Sequence, residues 1–274
     1  MLNHKLSVMR KVVQYFLIVA FCFACQEKQA PKIVFSTPVE IIDLGNLVTE
    51  DLPEQIWGIE LMKSMGFEKS NHFEVINWEF PVGEGKVTGS NAYYTLFNHG
   101  GAHVDGPCHV DFEGGLDSYP VEKFVGPLKV FDVSSYPNGR TVPIEVFQGK
   151  VSPGDVVLLY TNWKPPQSGK SQPEHITLSH KAAEYLAEMP IRAFCTDAFS
   201  ADCFGDNNDP IITDSQTAKA LPIHHSFLSR AIPIYEELVN VGKLLNKQNM
   251  LFVGVPLSIK DGDGIPVRPV AFVY

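Results

Sequence analysis

A single α/β domain is the fold that the sequence predicts, and three observations predict it. Short apolar runs closed by turn residues recur along the chain, as buried strands do. Helical periodicity appears between those runs rather than in a block of its own. No internal repeat or low-complexity linker divides the region after residue 31, and the domain is bounded as residues 38–274.

The elements follow in order. Val39–Leu44 (VEIIDL), Leu128–Val133 (LKVFDV), Asp155–Tyr160 (DVVLLY), Ile191–Thr196 (IRAFCT) and Met250–Val255 (MLFVGV) read as strands, each too short for a typical helix and flanked by turn formers. Ser179–Glu188 reads as a helix with Ser179 as its N-cap, and a second helix is expected over Ile234–Leu245. The Gly-rich, polar stretch Gly83–Ser90 reads as a loop.

At 274 residues with 45% hydrophobic content, the chain can bury a sizeable core. Its formal charge of −9 supplies no cationic surface for a polyanion, which excludes nucleic acid as a partner.

Residues 1–25 read as a targeting segment. Lys5, Arg10 and Lys11 precede the apolar run Val12–Ala24, too short to cross a bilayer comfortably and of the length of a signal-peptide core. The run ends on Phe23-Ala24-Cys25, which resembles a relaxed bacterial lipobox whose cysteine carries lipid; simple cleavage without lipid is the alternative. Residues 26–37 then form a tether. Either reading exports the protein, and the first anchors it at Cys25 as a lipoprotein of a bacterial envelope. Cys108, Cys195 and Cys203 remain in the domain, an odd number that rules out a full disulfide framework. Cys195 and Cys203 can be read as a pair or as small buried apolar residues.

The chemistry concentrates in HGGAHVDGPCH, residues 99–109. In a helix His99 and His103 would share a face while Asp105 and His109 pointed roughly opposite. Adjacent glycines, Val104 and Pro107 also oppose a helix. In an extended backbone all four odd-numbered positions turn one way. Imidazole nitrogens and a carboxylate converging on a small volume suit a divalent cation such as Zn2+ or Mn2+.

These residues carry a family resemblance. The segment is similar to the His-x-Gly-Thr-His-x-Asp-x-Pro-x-His signature of the cyclase family of metal-dependent hydrolases, which includes bacterial kynurenine formamidase and isatin hydrolase. His99, Gly101, His103, Asp105, Pro107 and His109 match; Ala102 replaces the threonine and Gly106 an alanine. IIDLGNLVTEDLP (41–53), VEKFVGPLKVFDV (121–133), PGDVVLLYTNW (153–163) and PLSIKDGDGIPVRPVA (256–271) extend the resemblance, which is weak over residues 54–95.

The resemblance implies a compact β/β/α arrangement and a homodimer or higher homo-oligomer. It also implies a metal-dependent hydrolase acting on the amide carbonyl of an aromatic formamide or cyclic amide. A metal-dependent lactonase or cyclase, or a non-catalytic exported protein that binds a metal or ligand, are the alternatives. His99, His103 and Asp105 would hold one cation. Asp105 would bridge to a second, held by a downstream histidine and a glutamate twelve residues further on that opens a helix. His224 and Glu236 take those places on the flanking pattern, although His225 and Glu237 have the same spacing. His109 would move the proton to the leaving nitrogen, with a place among the metal ligands as the alternative.

Trp57, Phe80, Tyr94, Phe97 and Trp163 could wall an aromatic substrate, though each reads individually as packing. DGDG (261–264) lacks the other ligand positions of a calcium loop and reads as a turn before a strand. DCFGDNNDP (202–210) reads as turns as well.

Overall fold

The structure, a computed structural model, describes residues 37–50, 71–164, 174–203 and 221–274. The expected leader, the tether as far as residue 36, and Trp57 lie outside the described residues. From Pro38 to Tyr274 the chain forms one compact unit. Its strands are β1 (Glu40–Asp43), β2 (His72–Val82), β3 (Gly85–Thr95), β4 (His103–Asp105), β5 (Val125–Asp132), β6 (Thr141–Val142), β7 (Val156–Tyr160), β8 (Thr177–Leu178), β9 (Ala193–Thr196), β10 (Ile234–Glu236), β11 (Met250–Val253), β12 (Gly264–Pro266) and β13 (Val270–Val273). Helix α1 (His180–Glu188) lies between β8 and β9, and α2 (Pro222–Leu228) between β9 and β10.

Nine strands make the main sheet in the order β1-β13-β11-β5-β7-β9-β10-β4-β12. Strands β5, β7, β9 and β10 run parallel, and the strands on either side of them are antiparallel. Seven inter-strand spacings separate β12 from β13 in that order, about 34 Å if the sheet were flat. The chain from Pro266 to Val270 reaches at most about 14 Å. The sheet therefore curls until its two ends approach.

That curl gives each central strand two apolar faces. Val156 and Leu158 of β7 join Ile42, Val104, Tyr235 and Phe252 in one core, while Val157 and Leu159 pack with Ala182 and Leu186 of α1 and Ile223 and Phe227 of α2. A strand buried on both sides needs a continuous apolar run, which is what VVLLY supplies. Helix α1 begins as expected, with Ser179 Oγ accepting the backbone N–H of Ala182 at 3.2 Å.

Two expected elements differ. Ile234–Glu236 is a strand, parallel to β9 and antiparallel to β4, not the start of a helix over 234–245. Leu238, Val241 and Leu244 are spaced like a helical face and are all buried, but Glu237 (φ 55°) and Asn240 (φ 59°) are left-handed, and a 3-10 turn at Val241–Leu244 replaces the helix. Gly83–Ser90 is not a loop: only Gly83 and Glu84 turn, and β2 and β3 pair in register from Val82 opposite Gly85 to His72 opposite Thr95. Its glycines sit in a long two-stranded ribbon. Cys195 and Cys203 are buried thiols not joined to each other.

Candidate active site

Strand alternation builds the floor of the site. Val104 on β4 and Tyr235 on β10 are cross-strand partners, and both point into the inner core. Their neighbours His103 and Asp105 on β4, and Glu236 on β10, therefore point to the opposite face of the sheet. His103 stands opposite Glu236 in the register.

The extended stretch is shorter than the spacing of the motif suggests. Only His103–Asp105 is strand; His99 arrives through a turn, and His109 lies in the 3-10 turn Pro107–Val110. Gly101 takes φ +70°, and a Cβ there would lie 2.3 Å from the Asn46 amide. That amide accepts the backbone N–H of Ala102 at 2.7 Å and fixes the turn. His224 comes from α2, whose start is capped by Asp202: its carboxylate accepts the backbone N–H groups of Ile223 and His224, each at 3.0 Å.

All six predicted residues come together. His99 Nδ1 and His103 Nε2 stand 2.9 and 3.3 Å from Asp105 Oδ1, and His224 Nε2 stands 3.6 Å from Asp105 Oδ2. Glu236 places Oε2 3.4 Å from His103 Nε2 and Oε1 3.2 Å from His224 Nε2, and Oε1 also accepts the Ala201 N–H at 2.6 Å. The His109 ring centroid is 4.2 Å from that of His99 and 5.4 Å from that of His224. His225 instead packs edge-on against Phe112, and Glu237 sits at a left-handed turn whose N–H bonds to Ala198.

Each of three imidazoles uses its outer nitrogen in a hydrogen bond. His103 Nδ1 faces the carbonyl of Gly101 at 2.7 Å, His224 Nδ1 the carboxylate of Asp202 at 2.7 Å, and His99 Nε2 the carboxylate of Asp263 at 3.1 Å. The inner nitrogens crowd Asp105, yet among the described residues neither of its buried oxygens has a hydrogen-bond partner. Nitrogen and oxygen ligand atoms that approach so closely, in a cluster this buried, fit a cation held among them. His99, His103 and Asp105 bring one ligand atom each to within 4.8 Å of one another, as do Asp105, His109 and His224.

The charges agree with that fit. Burial opposes ionisation of His103 and His224, but Asp105 and Glu236 outweigh it and raise both imidazoles well above their usual pKa. Burial likewise opposes the Asp105 carboxylate, and the imidazoles hold it well below its usual range. His109 differs. Burial, aided by the charges of His99 and His224 and opposed by Asp105, lowers it to about 4, so it is neutral at neutral pH.

Asp202 and Asp263 are absent from the ligand set that the sequence suggests. Both lie in Asp- and Gly-rich stretches that read as turns. DGDG is indeed a turn before β12, but one of its acids reaches His99. Among the aromatic candidates, Phe97 has its ring centroid 6.1 Å from that of His99, whereas Phe80 and Tyr94 are exposed on the β2–β3 ribbon.

Known proteins resemble this chain in sequence and in fold. Residues 29–203 match the model of the family described as "Putative cyclase". A kynurenine formamidase of Salinibacter ruber is 30% identical over 177 residues, which is 64% of this chain and 76% of the relative. Isatin hydrolase A from Labrenzia aggregata, solved bound to benzyl benzoate, superposes with a TM-score of 0.62 at 22% identity, covering 85% of this chain and 93% of that one. A structure titled as a potential metal-dependent hydrolase with cyclase activity gives 0.58 at 22% identity, over 86% and 98%. The two structures show the shared fold, and the sequence match supplies the kinship: the chain belongs to the cyclase family of metal-dependent hydrolases.

Proposed function

We propose that this protein hydrolyses the amide carbonyl of an aromatic formamide or cyclic amide, with a divalent cation, Zn2+ or Mn2+, held by His99, His103, Asp105, His224 and Glu236. The observation that carries the reading is the common arrangement of the three imidazoles, each tied by its outer nitrogen and offering the inner one to a buried carboxylate. A cation bound there would lower the pKa of water and polarise a carbonyl oxygen. Asp105, with one oxygen toward His99 and His103 and the other toward His224, is placed to serve one ion or two.

His109 supplies the proton transfer. It stands against His99 and His224, and its neutral imidazole can take a proton and release it to a leaving nitrogen. The names of the relatives, kynurenine formamidase and isatin hydrolase, support the substrate class, and Phe97 beside His99 supplies apolar surface for a ring. Export and a lipid on Cys25 rest on the basic, apolar and cysteine order of residues 5–25. A second copy of the chain as partner is supported by the ribbon. One face carries Ile76, Trp78, Phe80, Val82, Val87 and Tyr93, all exposed, and so large an apolar face marks a contact surface.

Hydrolysis of N-formyl aromatics, isatin-like lactams and lactones, measured with and without chelator, tests the reading. Chelator-sensitive turnover of the amides is expected. The His109→Ala variant should keep its metal and lose about 10²- to 10⁴-fold in turnover. Turnover that ignores chelation refutes the metal role, and loss of metal from that variant refutes the shuttle.

A further inference from the structure

The turn before β12 does more than connect. Asp263 is half-exposed, yet both of its oxygens are used: Oδ2 faces His99 Nε2 at 3.1 Å, and Oδ1 accepts the side-chain N–H of Asn98 at 2.6 Å. The turn that carries it is pinned to the motif and to the segment just after it. Gly106 donates its N–H to the Asp263 carbonyl at 2.7 Å, Leu116 to the Gly262 carbonyl at 2.8 Å, and Asp261 donates to the Asp117 carboxylate at 3.0 Å. The carboxylate is therefore held from both sides.

The three imidazoles do not face the site in the same sense. His103 and His224 turn Nδ1 outward to an acceptor and Nε2 inward. His99 is reversed, with Nε2 outward on Asp263 and Nδ1 inward, 2.9 Å from Asp105. Of its two carboxylate contacts only the one to Asp263 has hydrogen-bond geometry, since among the described residues Asp105 has no hydrogen-bond partner at either oxygen. A ring that donates through Nε2 leaves its lone pair on Nδ1.

We propose that Asp263 is a positioning residue of the metal centre: it accepts the Nε2 hydrogen of His99 and so presents Nδ1, not Nε2, to the cation. The inference rests on the proposed metal site and assigns the C-terminal turn a part in it. An acceptor behind a ligand histidine fixes its tautomer and raises its basicity, and loss of such a partner typically costs about 10- to 100-fold in metal affinity.

Zn2+ titration of the metal-free protein tests this, together with the imidazole 15N–1H correlation spectrum of the Zn2+-loaded protein. The expected spectrum shows His99 protonated at Nε2 and bound through Nδ1, with His103 and His224 bound through Nε2. Asp263→Ala should weaken Zn2+ binding by about 10- to 100-fold. Asp263→Asn, which keeps an acceptor oxygen, should recover most of that loss. Unchanged affinity and an unchanged His99 tautomer in Asp263→Ala would overturn the proposal. So would an unprotonated His99 Nε2, or an equal loss in Asp263→Asn, either of which would make Asp263 a direct ligand in an outer site with His99 and His109. Failure of the wild-type protein to bind Zn2+ or Mn2+ at all would overturn the metal site itself, a result distinct from these.

Discussion

Gly264 stands opposite Asp105 across the β12–β4 ladder, and the side chain it lacks is the space that His99 fills. A Cβ on Gly264 would lie 2.4 Å from Cε1 of the His99 ring, closer than two such atoms can come. A glycine in a strand often marks such a close approach.

Gly264→Ala should therefore displace His99 from the cluster while leaving the buried core untouched. Divalent-metal affinity is expected to fall by about 10-fold or more, with little change in the unfolding midpoint of the metal-free protein. Equilibrium titration and denaturant unfolding of both proteins check this, and equal affinities would show that the close packing of His99 on β12 has no bearing on the site.

Asp202 has two tasks: it caps α2 and it holds His224 through Nδ1 at 2.7 Å. Asp202→Ala should lose about 1 kcal/mol of stability from the cap and about 10-fold or more in metal affinity from the freed imidazole. Asp202→Asn keeps an acceptor and should fall between. Stability and affinity that move in strict proportion across the two variants would mean that only the cap matters.

Metal uptake should release protons. In the metal-free protein the carboxylates outweigh burial and raise His103 and His224 well above 6.5, which favours the protonated rings, and a bound cation must displace those protons. For these raised groups the proton-linked stability is complete below the unfolded value near 6.5 and fades as pH climbs through the folded values. For Glu236, lowered to about 2, it is present above the unfolded 4.5 and fades as pH falls toward 2. The metal-free cluster thus contributes most between about pH 4.5 and 6.5, and metal affinity rises with pH above that window. Calorimetry at pH 7 in buffers of different ionisation enthalpy should show net proton release. A buffer-independent heat would contradict it.

The ribbon predicts an assembly. Two strands alone are marginal in water, and this pair exposes Phe80 at 64% and Tyr93 at 68% on one face. Sedimentation at micromolar concentration should give a dimer or larger oligomer, and Phe80→Glu should shift it toward monomer. A wild-type monomer at that concentration would sink the prediction.

The first half of the site was legible because His99, His103, Asp105 and His109 lie within eleven residues, where a helix is excluded by glycines and proline. The reason for their convergence was only partly so, since strand geometry covers just His103–Asp105 and turns deliver the other two. Glu236 and Glu237 are equivalent by spacing; the β10 register separates them, and register depends on partners far away in sequence. The helix expected over 234–245 fails for the same reason, because pairing with β9 and β4 outweighs a spacing of apolar residues that a strand and a 3-10 turn also satisfy. Asp202 and Asp263 look like any acids in a turn. Only the fold shows that one lies behind His224 and the other behind His99.

Metal content of the purified protein, determined by elemental analysis alongside its amidase activity, decides whether the cluster of His99, His103, Asp105, His224 and Glu236 is a metal centre. One or two equivalents of Zn2+ or Mn2+ per chain are expected, with metal and activity removed together by chelator and both returning when the cation is restored. An amidase that is fully active without transition metal, and indifferent to adding it, would rule out a metal-dependent hydrolase.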